Sequence, residues 1–159
     1  MTTTLAFLQN QWFRNPEKVK LILSRRDEKF RRLWIKRTLF AGCLTGQRIL
    51  RAFGDNVDNI VWEETSREIR GHASSRFTAD DKHIREAIDL YKPVVILLFG
   101  KIAQEAVIPI VFPNISFING PHPAARYKEV PQELSYMFSQ WQRELNYQQH
   151  SATIAHDKL

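Results

Sequence analysis

Four short apolar runs punctuate the chain, each ending in a turn-like or polar cluster. They are "TLFAG" (38–42), "NIVWEE" (59–64), "VVILLFG" (94–100) and "ISFING" (115–120). None alternates cleanly between apolar and polar residues, which is the pattern of strands covered on both faces. Helical patterns fall between them. "GQRILRAFGD" is brief and closes on Gly54, where a C-cap glycine belongs. "TADDKHIREAIDLYKP" offers Thr78 and Asp81 as a capping box and sets Ile84, Ala87, Ile88 and Tyr91 on one face, with Pro93 as its stop. "KIAQEAVI" follows the third run directly. "VPQELSYMFSQWQREL" has Pro131 in its first turn and Leu134, Met137, Phe138, Trp141 and Leu145 along one side. The predicted order is β-α-β-α-β-α-β-α behind an N-terminal helical segment. Such alternation predicts an α/β fold, a three-layer α/β/α sandwich with a four-stranded parallel sheet. A single domain over 1–147 is expected, followed by a flexible tail over 148–159 that lacks periodicity.

The 159 residues suffice for one compact domain. No apolar run approaches the roughly 20 residues that span a bilayer, and the opening "MTTTLAFLQNQWFRNP" lacks the charged n-region of a signal peptide. Cys43 is the only cysteine, so no intramolecular disulfide can form. A cytoplasmic, reducing compartment is the expectation. His72, His83 and His122 lie scattered without ligand spacing, and no metal or cofactor is expected; His150 and His156 fall in the tail. The net charge of +6 is concentrated. Between Pro16 and Arg37 stand nine Lys or Arg, including Arg25, Arg26, Arg31 and Arg32, against Glu17, Asp27 and Glu28, so this segment alone nets +6. Such a stripe can neutralise phosphates and give salt-dependent binding to DNA. The plain alternative is a solvated helix face, with Phe30, Leu33 and Trp34 as its core side.

In open α/β sheets, ligands bind outside the carboxyl ends of the strands. That rule gathers "CLTG", "EETSRE", "GKIAQ" and "GPHPAAR". His122 stands between Pro121 and Pro123, which stiffen its loop, and Arg126 follows one turn later. Lys101 and Gln104 open the helix after the third strand, where backbone N–H groups favour anions. Of Glu63 and Glu64, strand alternation lets only one face a given side, and Glu64 is the more C-terminal. A carboxylate only accepts hydrogen bonds, but a buried one that keeps its proton also donates.

These stretches together resemble the uracil-DNA glycosylase superfamily. "LFAGCLTGQR" looks like its first motif, with Gly42 and Gly46 in the glycine positions. "GPHPAAR" looks like its second, with Ala124 in place of serine, and "KPVVILLFGKIAQEAV" is similar to its third strand and following helix. The resemblance covers Thr38 to Arg126 and implies a base-excision hydrolase of DNA repair, which extrudes a damaged base and hydrolyses its N-glycosidic bond. It implies that His122 stabilises the departing base, that Gly42, Cys43, Leu44, Thr45, Gly46 and Glu63 line the base pocket, and that Arg126 holds a phosphate. The chain departs from the family at Leu44, where Asp, Glu or Asn positions the attacking water. Glu64 and Glu63 are the available substitutes for that task. Two alternatives stay open: a catalytically silent DNA- or nucleotide-binding member of the same fold, and an α/β enzyme acting on nucleosides or nucleotides.

Overall fold

The computed structural model describes residues 2–9, 11–71, 78–110 and 113–156. Its centre is a parallel sheet built from β1 (Thr4–Leu8), β3 (Ile60–Glu64), β5 (Val95–Phe99) and β6 (Ser116–Gly120), ordered β3-β1-β5-β6. A minor parallel pairing joins β2 (Gln11–Trp12) to β4 (Ile69–Arg70). The helices are α1 (Pro16–Ser24), α2 (Glu28–Leu39), α3 (Leu44–Phe53), α4 (Asp81–Tyr91), α5 (Lys101–Val107) and α6 (Val130–His156).

The central strands are apolar because helices cover both of their faces. Alternation along β1 sends Ala6 and Leu8 into one core, with Ile35 of α2, Ile49 and Phe53 of α3, and Met137 and Trp141 of α6. Leu5 and Phe7 enter the other, with Ile84 and Ile88 of α4 and Val107 of α5. Thr4 is buried in the sheet and accepts a hydrogen bond from Trp141 Nε1 at 3.0 Å, which ties α6 to the first strand.

The strand expected at 38–42 does not exist. Those residues finish α2 and turn into α3, and the first strand is Thr4–Leu8. The Thr38 hydroxyl donates to the carbonyls of Trp34 and Ile35 and so belongs to the helix, while Gly42 takes φ +121° in the turn. Two boundaries and one buried position also differ. Asp80, not Thr78, caps α4 by accepting from the His83 N–H. Helix α6 runs on to His156, through most of the segment expected to be a tail. On α2 the buried residue is Ile35, whereas Leu33 is half exposed.

An ionic ring, buried at Glu63 and His83 and open to solvent at Glu28 and Arg67, holds α2 onto the sheet. Glu63, with no exposed surface, accepts from Arg31 Nη2 at 2.6 Å on one oxygen and from His83 Nε2 at 3.2 Å on the other. Arg67 donates Nε to His83 Nδ1 and pairs with Glu28, which returns to Arg31 Nε at 2.9 Å. Arg32 Nε stands 3.6 Å from the same Glu63 carboxylate and its guanidinium lies over the Tyr91 ring. Arg31 and Arg32 therefore point inward and are withdrawn from the basic stripe to which the sequence assigns them. His83 of α4 is buried. Burial pushes the Glu63 pKa up, but the His83 hydrogen bond and the Arg31 charge outweigh it and hold the carboxyl below its usual range.

Glu63→Gln keeps the shape and removes the charge, leaving Arg31 and His83 short of their partner. The expected loss of unfolding free energy at pH 7 is about 3 kcal/mol, measured by denaturant titration. A depressed carboxyl pKa stabilises the fold above the unfolded value of 4.5 and ceases to do so as pH falls through the folded one. The difference between wild type and variant should therefore shrink in acid.

Candidate functional site

Winding reverses between β1 and β5, since β1 leads to β3 on one side and the later strands add on the other. A crevice forms at the carboxyl ends beside such a reversal. Here it is a cavity of about 430 Å³. Leu8, Gln9, Gln11 and Phe13 come from the exit of β1, and Ile35, Thr38 and Leu39 from the inner face of α2. Cys43, Leu44 and Thr45 come from the start of α3, Glu64 from the end of β3, and His122 and Ala124 from the loop after β6.

That loop is held from several sides. Arg48 of α3 donates Nη1 to the carbonyls of Pro123 and Ala125, each at 2.8 Å. The Gly120 carbonyl accepts from the Gly100 N–H at 2.9 Å and from Gln104 Nε2 at 3.0 Å. Gly100 has φ +94°, and a Cβ there would stand 2.9 Å from the His122 Cβ. Only glycine gives both that backbone and that approach. His122 Nδ1 accepts from the Ala124 N–H at 3.1 Å. With Nδ1 an acceptor, the ring proton resides on Nε2. Burial pushes the His122 pKa down, so the imidazole is neutral at pH 7 and Nε2–H is its donor.

Alternation along β3 separates the two glutamates. Glu63 turns to the ionic ring, and Glu64, opposite Leu8 in the sheet register, lines the cavity. Glu64 is 6% exposed, and its Oε2 has no hydrogen-bond partner among the described residues. Burial first, and then the neighbouring Glu63 charge, push its pKa up to about 8 against a weaker opposing pull from Arg31. Neither glutamate is thus an ionised base over the cavity at pH 7.

Of the residues singled out in the sequence, His122, Glu64, Cys43, Leu44 and Thr45 meet in this cavity. Cys43 caps α3: its sulfur accepts from the Gly46 N–H at 3.4 Å, and its thiol donates to the Leu39 carbonyl. Leu44 is half exposed at the rim. Glu63, Gly42 and Gly46 do not line it. Gly42 forms an exposed turn, and Gly46 lets α3 pack on α2, since a Cβ there would run into the Leu39 carbonyl. Gln104 is spent on Gly120, while Lys101 is exposed beside Glu105 at 3.6 Å. Arg25, Arg26 and Arg126 are exposed, and Trp34 packs between Phe13 and Phe30. His72 lies outside the described residues.

Sequence reasoning missed Gln9, Gln11 and Arg48. Had "TLAFL" been read as a strand, the strand-exit rule would have pointed to 9–13. No local signal marks Arg48, whose partners lie more than 70 positions away. Among the described residues, no group of three or more His, Cys, Asp or Glu could hold a metal ion, and no helix is long and apolar enough to cross a membrane. No protein-family model matches the chain, and neither the curated proteins nor the solved structures contain a match to it.

Gly100→Ala should push His122 out of its seat. Its ring protons, followed by NMR across a pH titration, are then expected to report a pKa rising toward 6.5 as burial is relieved. A second expectation concerns Glu64. Between about pH 4.5 and 8 the unfolded chain has released this proton and the folded chain has not. This group therefore makes wild-type stability fall with rising pH, by about 1.4 kcal/mol per pH unit. Glu64→Gln lacks that slope, so its stability relative to wild type, from denaturant titrations at pH 5 and 8, should be higher at pH 8.

Proposed function

We propose that the cavity receives one nucleobase turned out of a DNA strand and that the protein hydrolyses the N-glycosidic bond of that base, as the uracil-DNA glycosylase superfamily does. The observation that carries this reading is a neutral His122, lining the cavity, with Nε2–H as its only ring donor. When an N-glycosidic bond breaks, the base leaves with the bonding pair and a carbonyl oxygen on it gathers negative charge. A donor already fixed at that oxygen needs no reorganisation as the charge develops. Water completes the reaction at the sugar carbon and gives up its proton. Extrusion is required because neither the scissile bond nor the base edge is reachable inside a stacked duplex.

The first-motif match shifts under this reading. The segment that follows the true first strand is 9–13, so Gln9 and Gln11 occupy the position where the family orients its water. Phosphate attraction falls to Lys18, Arg25, Arg26, Lys29 and Arg37, which are exposed on or between α1 and α2, and to Arg126 beyond His122. The catalytically silent reading has one observation in its favour: the carboxyl lining the cavity is protonated at pH 7, and Leu44 is no substitute for it.

The test is incubation of the protein with oligonucleotides carrying uracil, hypoxanthine or other altered bases, followed by assay for alkali-labile abasic sites. Excision is expected, and His122→Ala should slow it by ~10²–10³. A blank across the panel would leave the silent reading; undiminished excision in the variant would remove His122 from the chemistry.

A further inference from the structure

Arg48 spends its charge on main chain. It projects half-buried from α3, and among the described residues its hydrogen bonds go to the carbonyls of Pro123 and Ala125, both from Nη1. The helix that carries it is firmly seated: Ile49 and Phe53 lie in the core, and Gly46 brings α3 against α2. A cation so placed fixes the course of the loop relative to a rigid element. Building on the reading above, in which His122 donates to the departing base, we propose that Arg48 is a positioning residue of the site. By holding the peptide unit between Pro123 and Ala124 it sets the tautomer of His122 and keeps the ring proton on Nε2.

The route is one planar group. In a trans peptide the C=O and the N–H leave opposite edges of a single plane. Pro123 supplies the carbonyl of this unit and Ala124 its N–H. Arg48 Nη1 donates to the carbonyl at 2.8 Å, and the N–H on the far edge donates to His122 Nδ1 at 3.1 Å. Turning the plane breaks both bonds together. Each of the next two units is also tied. The Ala125 N–H donates to the His122 carbonyl at 2.9 Å, and the Ala125 carbonyl returns to Arg48. Other features of the loop do not replace the arginine. Proline fixes φ, whereas the 123–124 plane turns about ψ of Pro123, which the pyrrolidine ring leaves free. The Gly100 N–H and Gln104 hold the Gly120 carbonyl, which precedes His122 and lies outside that plane. Without Arg48 the Ala124 N–H can turn away from Nδ1. The proton is then free to move to Nδ1, which leaves only a lone pair on Nε2 and nothing to donate to a departing base.

The experiment is NMR of the full chain, labelled at the histidine ring nitrogens, at pH 7.5, where His122 is neutral. Couplings from the ring carbon-bound protons to the two nitrogens report which of them carries the proton. Wild type is expected to show mainly the Nε2–H tautomer. Arg48→Met fills similar space without a donor, and the ratio of Nε2–H to Nδ1–H should fall about fivefold, as for one net hydrogen bond lost. Arg48→Lys, which keeps donors at that place, should recover most of the ratio. In the excision assay Arg48→Met should lower kcat by ~10–10²-fold with KM unchanged, because the misplaced donor acts on charge that only the transition state carries. A ratio unchanged in Arg48→Met, a fall of equal size in Arg48→Lys, or an effect confined to KM overturns this role for Arg48 and leaves excision by His122 standing. A fallen ratio in a protein that excises no base supports the hold of Arg48 on the ring, and it is the hydrolysis reading that then fails. Should a variant not fold, the wild type still decides: its Arg48 Nη1 protons should exchange slowly with water and show proximity to the 123–125 segment, and rapid exchange overturns the proposal.

Discussion

The buried carboxylate of Glu63 is the constraint from which the site's geometry follows. An ion with no exposed surface persists only where several donors replace its water, and Arg31, His83 and the Glu64 N–H do so here. Those donors come from α2, α4 and β3 itself, so satisfying one charge positions both helices against the end of the sheet. The inner face of α2 then becomes a wall of the cavity. The same charge reaches the next residue along the strand, where it helps keep Glu64 protonated. One carboxyl is held ionised and its neighbour neutral, and strand alternation is what sorts them.

The opposite wall relies on close approach rather than charge. Gly100 leaves room for His122 to sit against the end of β5, Arg48 latches the loop from α3, and the two prolines remove much of its remaining freedom. The donor that the proposed chemistry needs is thus in place before any ligand arrives, and its tautomer is set by one backbone N–H. Preorganisation of this kind is where such a site gains most, because polar groups that are already oriented pay no cost when charge appears.

Much of this was legible in the sequence. Runs that end in polar clusters located β3, β5 and β6, and the strand-exit rule brought His122 and Glu64 to one place although they are far apart in the chain; the 43–45 segment reaches it from the start of α3 and not from a strand exit. What failed did so for physical reasons. "TLFAG" and "TLAFL" are both five-residue apolar runs, and composition cannot tell a helix end that packs on a sheet from a strand inside it. The count of positive charge over 16–37 was right, but a count carries no direction, and Arg31 and Arg32 turn toward a carboxylate 30 or so positions away. The first-motif part of the resemblance to glycosylases depended on Gly42 and Gly46 following a strand. They instead serve a turn and a helix contact, while the true exit of β1 was passed over.

The placement of β1 carries a consequence for how the molecule is made. It sits inside the sheet, paired on one edge with residues from 60 onward and on the other with residues from 95 onward. During synthesis from the amino end, this greasy five-residue segment emerges well before either neighbour exists. The helices of 16–53 can form locally in the meantime, but they have no sheet to pack on. Collapse must therefore wait for distant chain, a topology that slows folding and prolongs exposure of a sticky strand to other molecules.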